Sequence, residues 1–168
     1  MQAWEDRLGP RRKLRVGLVW SGYAAHKNDR NRSIPLKALA PLLALDADFI
    51  SLQKDPRPDD KAELLAQHGI VDLTQHLADF TETAALLACL DLAISVDTSV
   101  AHLAGTLGVP TWLLLPYTPD FRWLLEREDS PWYPSMRLFR QREDRDYAGV
   151  MARVRDALTI LVSASRAG

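Results

Sequence analysis

The segment DTSVAH (97–102) places a carboxylate, two hydroxyls and an imidazole where an apolar run gives way to a helix-forming one. Asp97 closes the run DLAISV, so it stands at the carboxyl end of a strand, able to accept from ligand hydroxyls such as those of a ribose. A charge-assisted bond of that kind is worth about 1.5–3 kcal/mol. Thr98, Ser99 and His102 are three and four residues apart, which puts them on one face at the start of the helix. The amides of a first helical turn lack intrahelical partners and attract anions. A diphosphate above the helix start and a ribose against Asp97 would fit together. The plain alternative is that Asp97 or Thr98 is only an N-cap, worth about 1 kcal/mol, and that His102 is a surface residue. A cap uses one of the three polar residues.

A second group lies in SGYAAHKNDRNRS (21–33), directly after the first apolar run. Ser21 and Gly22 begin it, and Gly22 permits close backbone approach. His26, Lys27, Arg30 and Arg32 follow within seven residues, cations suited to phosphate oxygens. A solvated basic loop is the competing account. A third, weaker pair is Gln53 and Lys54, at the end of another apolar run, in reach of a base or a phosphate. A solvated turn is the alternative there. The chain has no GxGxxG, no GxxxxGK[ST], no GxSxG and no HExxH. That argues against a dinucleotide-binding fingerprint, a P-loop, a hydrolase elbow and a zincin site. His26, His68 and His76 are scattered, and the single Cys89 reads as a small buried hydrophobe. No metal is expected.

These residues need a frame that brings strand ends together. KLRVGLVW (13–20), ADFISLQ (47–53), IVDL (70–73), DLAISV (91–96), VPTWLLLP (109–116) and MRLFRQ (136–141) read as strands. Helices are expected over 34–45, with Pro35 at its first position and Leu36, Leu39 and Leu43 on one face; over 59–69, with Gly69 after its end; and over 81–90, with Thr81 as cap. Two more are expected over 98–108, burying Val100, Leu103, Ala104 and Leu107, and over 146–162. Alternation of strands and helices predicts an α/β, Rossmann-like, doubly wound and mostly parallel sheet of about six strands with helices on both faces. Ligands of such sheets bind beyond the carboxyl ends of the strands. The aromatic stretch YTPDFRWLLEREDSPWYP (117–134) is irregular. Its Trp123, Trp132 and Tyr133 are packing residues, or else a lid or partner face.

The 168 residues, 47% hydrophobic and 26% charged, suit a single globular domain. A net charge of −1 gives no field for nucleic acid. No run approaches the length of a membrane span, and the start lacks a signal-peptide core, so a cytoplasmic setting is expected. The division expected is an N-terminal extension (1–12), a Rossmann-like domain (13–162) and a tail (163–168), the two ends frayed or remnants of a larger chain.

The ordered segments VGLVWSG, HKNDRNRSIPL, FISLQK, DLAISVDTSVAHLAGTLGVPTWLLLP and WLLEREDSPWYPSMRLFRQ resemble the glycosyltransferase-like C-terminal domain of bacterial tetratricopeptide-repeat proteins. They resemble more distantly the ADP-heptose lipopolysaccharide heptosyltransferases and, more loosely, the O-linked N-acetylglucosamine transferases. The resemblance implies the C-terminal, donor-binding half of a GT-B fold, with the active site in a cleft between two such halves. It implies a nucleoside diphosphate-sugar as substrate and no cofactor. Asp97, Thr98 and Ser99 would lie by the diphosphate and ribose, with His102 behind them. Arg32 stands where heptosyltransferases carry a phosphate-binding lysine, and Ser99 where they carry a glycine. The catalytic base would come from the other half, so the catalytic residue is unknown within this chain. The chain is expected to be part of a longer protein with an N-terminal half and tetratricopeptide repeats, or to work with a partner. The acceptor, a saccharide or a protein, is not specified. The other function class is a non-catalytic interaction module with a degenerate nucleotide site; a nucleotide-sugar epimerase of the same architecture is a third.

Overall fold

The computed structural model describes residues 2–66 and 69–166. Six strands form one parallel sheet in the order β3-β2-β1-β4-β5-β6. They are β1 (Arg15–Val19), β2 (Asp48–Ser51), β3 (Ile70–Asp72), β4 (Leu92–Val96), β5 (Thr111–Leu115) and β6 (Met136–Arg140). The expected α/β, doubly wound parallel sheet is what the chain forms. The order reverses between β1 and β4, which pair in register from Val16 and Leu92 to Val19 and Ser95. A crevice therefore opens at their carboxyl ends.

Both faces of the sheet are covered, which explains why β1 and β4 are buried along their whole length and read as continuous apolar runs. Val16, Leu18, Leu92, Ile94 and Val96 face a core completed by α7 (Tyr147–Ser165) and by the segment from Ile34 to Leu42. Val19, Ile50, Leu52 and Ala93 face the opposite core, with α5 (Phe80–Leu87) and α6 (Ser99–Thr106). A third cluster joins Ala101, Leu113, Leu115, Met136 and Leu138 to Trp123, from a 3-10 turn at Phe121–Trp123. The irregular stretch after β5 thus has its own small core. α4 (Pro58–Ala66) lies between β2 and β3 in sequence; the end expected for it, with His68, lies outside the described residues. No described helix is long and apolar enough to cross a membrane.

Several local expectations fail for identifiable reasons. The N-terminal extension is not frayed: α1 (Gln2–Leu8) buries Trp4 in the second core, at 1% exposure. The Trp4 indole donates to Glu82 Oε2 at 2.7 Å. At the other end α7 continues to Ser165, so the expected tail is partly helical. The helix expected over 34–45 is two pieces, a 3-10 turn at Leu36–Leu39 and α3 (Ala40–Leu43). Pro35 is extended just before the turn, and Pro41 falls in the first turn of α3, where its missing N–H costs nothing. With a period near three, Leu36, Leu39 and Leu42 are the buried residues, rather than Leu43.

α5 is capped by Asp79, not Thr81: the Asp79 side chain accepts from the amides of Thr81 and Glu82. α6 buries Ala101, Ala104 and Gly105, while Leu107, expected in the core, is 46% exposed. The small residues let Tyr133 and Met136 lie against that face, for a Cβ at Gly105 would meet the Tyr133 ring at 2.6 Å. α6 ends where the sequence suggested. Gly108 takes φ 71°, the amide of Val109 reaches Ala104 O, and that of Gly108 reaches Gly105 O. This pair of bonds is the Schellman closure that favours glycine.

Candidate nucleotide-sugar site

The segment after β1 and the turn after β4 meet at the switch point. A helical turn, α2 (Asp29–Arg32), carries Arg32 inward, and its Nη1 donates to the main-chain oxygen of Asp97 at 2.9 Å. The guanidinium is largely shielded, at 14% side-chain exposure, and its Nε has no hydrogen-bond partner. Gly22 makes room for it: a Cβ there would stand 2.6 Å from Arg32 Nη2. Gly22 therefore serves the arginine, not the close approach of a ligand to its own backbone.

Asp29 fixes the arrangement. It is buried, pairs with Arg57, lies 3.9 Å from Arg32 Nε, and accepts from the Ser33 hydroxyl at 2.6 Å. That hydroxyl in turn accepts from the Gly22 amide at 2.9 Å. One carboxylate thus stands between two guanidiniums, and it holds Arg32 at the strand ends beside Asp97.

Across the crevice, α6 starts at Ser99 with Thr98 in the N-cap position. Thr98 makes no side-chain bond to the first-turn amides; its hydroxyl lies 3.2 Å from that of Ser95. The simple cap explanation of this turn fails for Thr98. The first turn of α6 offers its N–H groups and the positive end of its dipole outward. The carboxylate of Asp97 lies 3.7 Å from His102 Nε2. The His102 ring stacks on Trp123, with centroids 5.2 Å apart at 24°, and its Nδ1 is 3.0 Å from the Tyr133 hydroxyl. On the other side the Tyr147 hydroxyl donates to Asn31 O. Burial, and then the negative charge of Asp97, push the Tyr147 phenol above its usual range, so it stays a neutral donor.

Arg32, Asp97, Thr98, Ser99 and His102 together line one cleft of about 870 Å³, large enough for a nucleotide-sized ligand. A family model described as glycosyltransferase family 9 (heptosyltransferase) matches residues 59–149, which contain the Asp97–His102 turn and just over half of the chain. The chain belongs to glycosyltransferase family 9. The protein FlbA of Caulobacter vibrioides is 30% identical over 161 residues, which are 91% of this chain and 26% of FlbA. The structure of E. coli ADP-heptose LPS heptosyltransferase II superposes with a TM-score of 0.67 at 15% identity, over 98% of this chain and 51% of that one. At that identity the likeness carries the fold. The chain spans about a quarter of the length of the curated relative and about half of the solved structure.

The family 9 domain does not bring every expected residue to the cleft. Gln53 is buried, and its Oε1 accepts from the amides of Trp20 and Ser21 at 3.2 and 3.0 Å. It clamps the end of β1 instead of reaching for a base. Lys54 donates to Ala78 O at 3.1 Å and lines a separate depression with Asp72 and Thr74. Ser21 is buried, its hydroxyl without a hydrogen-bond partner. Of the expected basic residues, His26 and Arg32 line the cleft. Other residues complete the cleft that sequence reasoning did not single out: Asn28 and Asn31 from the first loop, and Thr118, Asp120 and Arg122 from the segment after β5. Their signal was present in kind, since the β5 end adjoins the β4 end in a parallel sheet, but it needed the strand order. Among the described residues, no group of three or more His, Cys, Asp or Glu could hold a metal ion.

Proposed function

We propose that this domain is the donor-binding half of a GT-B glycosyltransferase, holding a nucleoside diphosphate-sugar while its sugar passes to an acceptor hydroxyl. The observation that carries the reading is the bond from Arg32 to the main chain of Asp97 beside the uncapped start of α6. The Arg32 guanidinium and the open amides of α6 border the same cleft. Both would stabilise charge as it builds on a departing diphosphate, which is what lowers the barrier of such a displacement. Asp97 would accept from ribose or sugar hydroxyls. No metal or cofactor is assigned in this reading, since the arginine and the helix start meet the phosphate charge.

The base that activates the acceptor is assigned to an N-terminal half carried by the parent chain, together with tetratricopeptide repeats, in the cytoplasm. The length of the structural neighbour supports a second half alone, as this chain covers about half of the heptosyltransferase II chain. The name of that neighbour makes ADP-heptose the first donor to try, and a lipopolysaccharide saccharide the first acceptor.

The test is titration of the purified domain with ADP, UDP and GDP by calorimetry, beside a variant carrying Arg32→Ala and Asp97→Ala. Saturable binding that the double variant abolishes supports the site; equal binding by both proteins removes it. One observation favours the second reading, a non-catalytic interaction module: Phe121, Leu125 and Trp132 are 80%, 72% and 66% exposed in the segment that borders the cleft. A domain that binds no nucleotide but loses a partner when these three are replaced by polar residues would decide for it.

A further inference from the structure

His102 is held by residues that come after β5. Its ring packs against the Trp123 indole, stacked at 5.2 Å, and against the Tyr133 ring, with centroids 5.7 Å apart at 62°. The two aromatic rings also touch each other, 6.3 Å between centroids. Tyr133 can approach α6 because position 105 is glycine. Its own backbone is tied down at both ends: its amide donates to Ser130 Oγ at 3.3 Å, and its carbonyl accepts from Met136 at 2.9 Å, where β6 begins. The ring sits where it does through packing, yet the hydroxyl ends 3.0 Å from His102 Nδ1.

We propose that Tyr133 is a positioning residue: its hydroxyl donates to His102 Nδ1 and so keeps the imidazole proton on Nε2, beside Asp97 and facing the cleft. The inference rests on the donor-binding reading for its purpose, which is to present an N–H to a phosphate oxygen. The chemistry follows from what each neighbour can do. The Asp97 carboxylate only accepts, and it lies on the Nε2 side at 3.7 Å. A neutral imidazole carries one N–H, so a proton facing Asp97 leaves Nδ1 bare. A bare Nδ1 needs a donor, and the phenol is one. The alternative, with Nδ1–H donating to the phenol oxygen, would set the lone pair of Nε2 against the carboxylate. The order phenol, imidazole, carboxylate is therefore self-consistent in one direction. It leaves Nε2–H at a separation from Asp97 beyond a normal hydrogen bond, so the proton is free to donate to a phosphate oxygen that enters in the ring plane.

The experiment reads the tautomer and the binding separately. Long-range proton–nitrogen NMR spectra of the 15N-labelled domain should show His102 with a pyrrole-like Nε2 and a pyridine-like Nδ1. In Tyr133→Phe, which keeps the ring and loses only the hydroxyl, the two nitrogen shifts should move towards each other. The affinity for ADP should fall about three- to tenfold, the range expected for one hydrogen bond, while that for adenosine is unchanged. Thermal unfolding of the variant should stay close to that of the parent. A wild-type spectrum with the proton on Nδ1 overturns the inference without any variant, and so do unmoved His102 shifts in Tyr133→Phe. If the wild-type domain binds no nucleoside diphosphate, the donor-binding reading fails, and with it the phosphate role of Nε2–H. ADP binding by the wild type with unaltered affinity in Tyr133→Phe removes the positioning role and leaves the donor site standing.

Discussion

Two arginines flank β1, and the fold uses them in opposite ways. Arg15 opens the strand at its amino end and is 1% exposed. Its Nη1 donates to Glu5 at 2.5 Å and faces Cys89 O at 3.5 Å, and its Nη2 donates to Gly9 O at 2.7 Å. Its amide donates to Asp91, which also pairs with Arg11. Arg32, beyond the carboxyl end, makes one hydrogen bond, to Asp97 O, and its buried Nε makes none, with the Asp29 carboxylate 3.9 Å away. A burial cost this large is normally offset by filling the donors. At the amino end the guanidinium meets a carboxylate and two main-chain oxygens; at the carboxyl end it meets one main-chain oxygen and, at 3.9 Å, the Asp29 carboxylate. The contrast is between an arginine whose bonds close a structure and one that keeps a buried donor unmet, as the proposed donor site would need.

Replacing the first should damage the fold most. Arg15→Met removes the bonds that tie α1 to the sheet, and is expected to cost about 3 kcal/mol. For a domain of this size that lowers Tm by about 6–12 °C. Thermal and urea unfolding measure it, and nucleotide affinity should not change. The difference should also depend on pH. The hydrogen bond from Arg15 holds the Glu5 carboxyl below its usual value of 4.5. A depressed carboxylate adds stability above that usual value, and the gain disappears as pH falls through the lower folded value. The gap between wild type and Arg15→Met should be full at neutral pH and narrow in acid. A gap of constant size from neutral pH down to about pH 3, below the usual carboxylate range, would show that Glu5 takes no part.

Arg32→Lys should invert the pattern. It keeps the charge and loses the planar fork whose Nη1 reaches Asp97 O and which, in the proposed site, would also reach a phosphate. The expected result is about tenfold weaker binding of a nucleoside diphosphate, with a stability loss of about 1 kcal/mol, that of one hydrogen bond. Calorimetry and urea unfolding on the same preparation separate the two. A loss of stability as large as for Arg15→Met, with binding intact, would make Arg32 a second structural arginine and erase the contrast.

The same contrast explains which parts of the molecule were legible beforehand. β1 and β4 were legible because strands covered on both faces leave unbroken apolar runs, and the αL glycine at 108 marked the end of α6 without ambiguity. The Asp97–His102 turn was legible because spacing of three and four fixes a helix face locally. What failed depended on partners distant in sequence. Trp4 and Glu5 read as part of a frayed end because their partners, Glu82 and Arg15, belong to other elements. Gln53 read as a ligand contact because its true partners, the amides of Trp20 and Ser21, come into range only when β2 pairs with β1. Gly22 read as a place of close approach, and what approaches it in the fold is Arg32. Asp120 and Arg122 were missed because nothing local places the end of β5 next to that of β4.

The smallest expected effect is the most discriminating. Two helices on the same face of the sheet begin differently: Asp79 caps α5 through its side chain, and Thr98 sits at the start of α6 without doing so. Asp79→Ala should cost about 1 kcal/mol, the ordinary value of a side-chain cap. Thr98→Ala should change stability by less than about 0.5 kcal/mol, as a substitution that breaks no cap, because its hydroxyl is turned to Ser95 and the amides of α6 lose nothing. Urea unfolding of the two variants side by side resolves the difference. Equal costs would mean that the Thr98 hydroxyl closes the first turn of α6 in solution. The amides would then be spent on the protein itself, and the start of α6 would have no more to offer a phosphate than the start of α5.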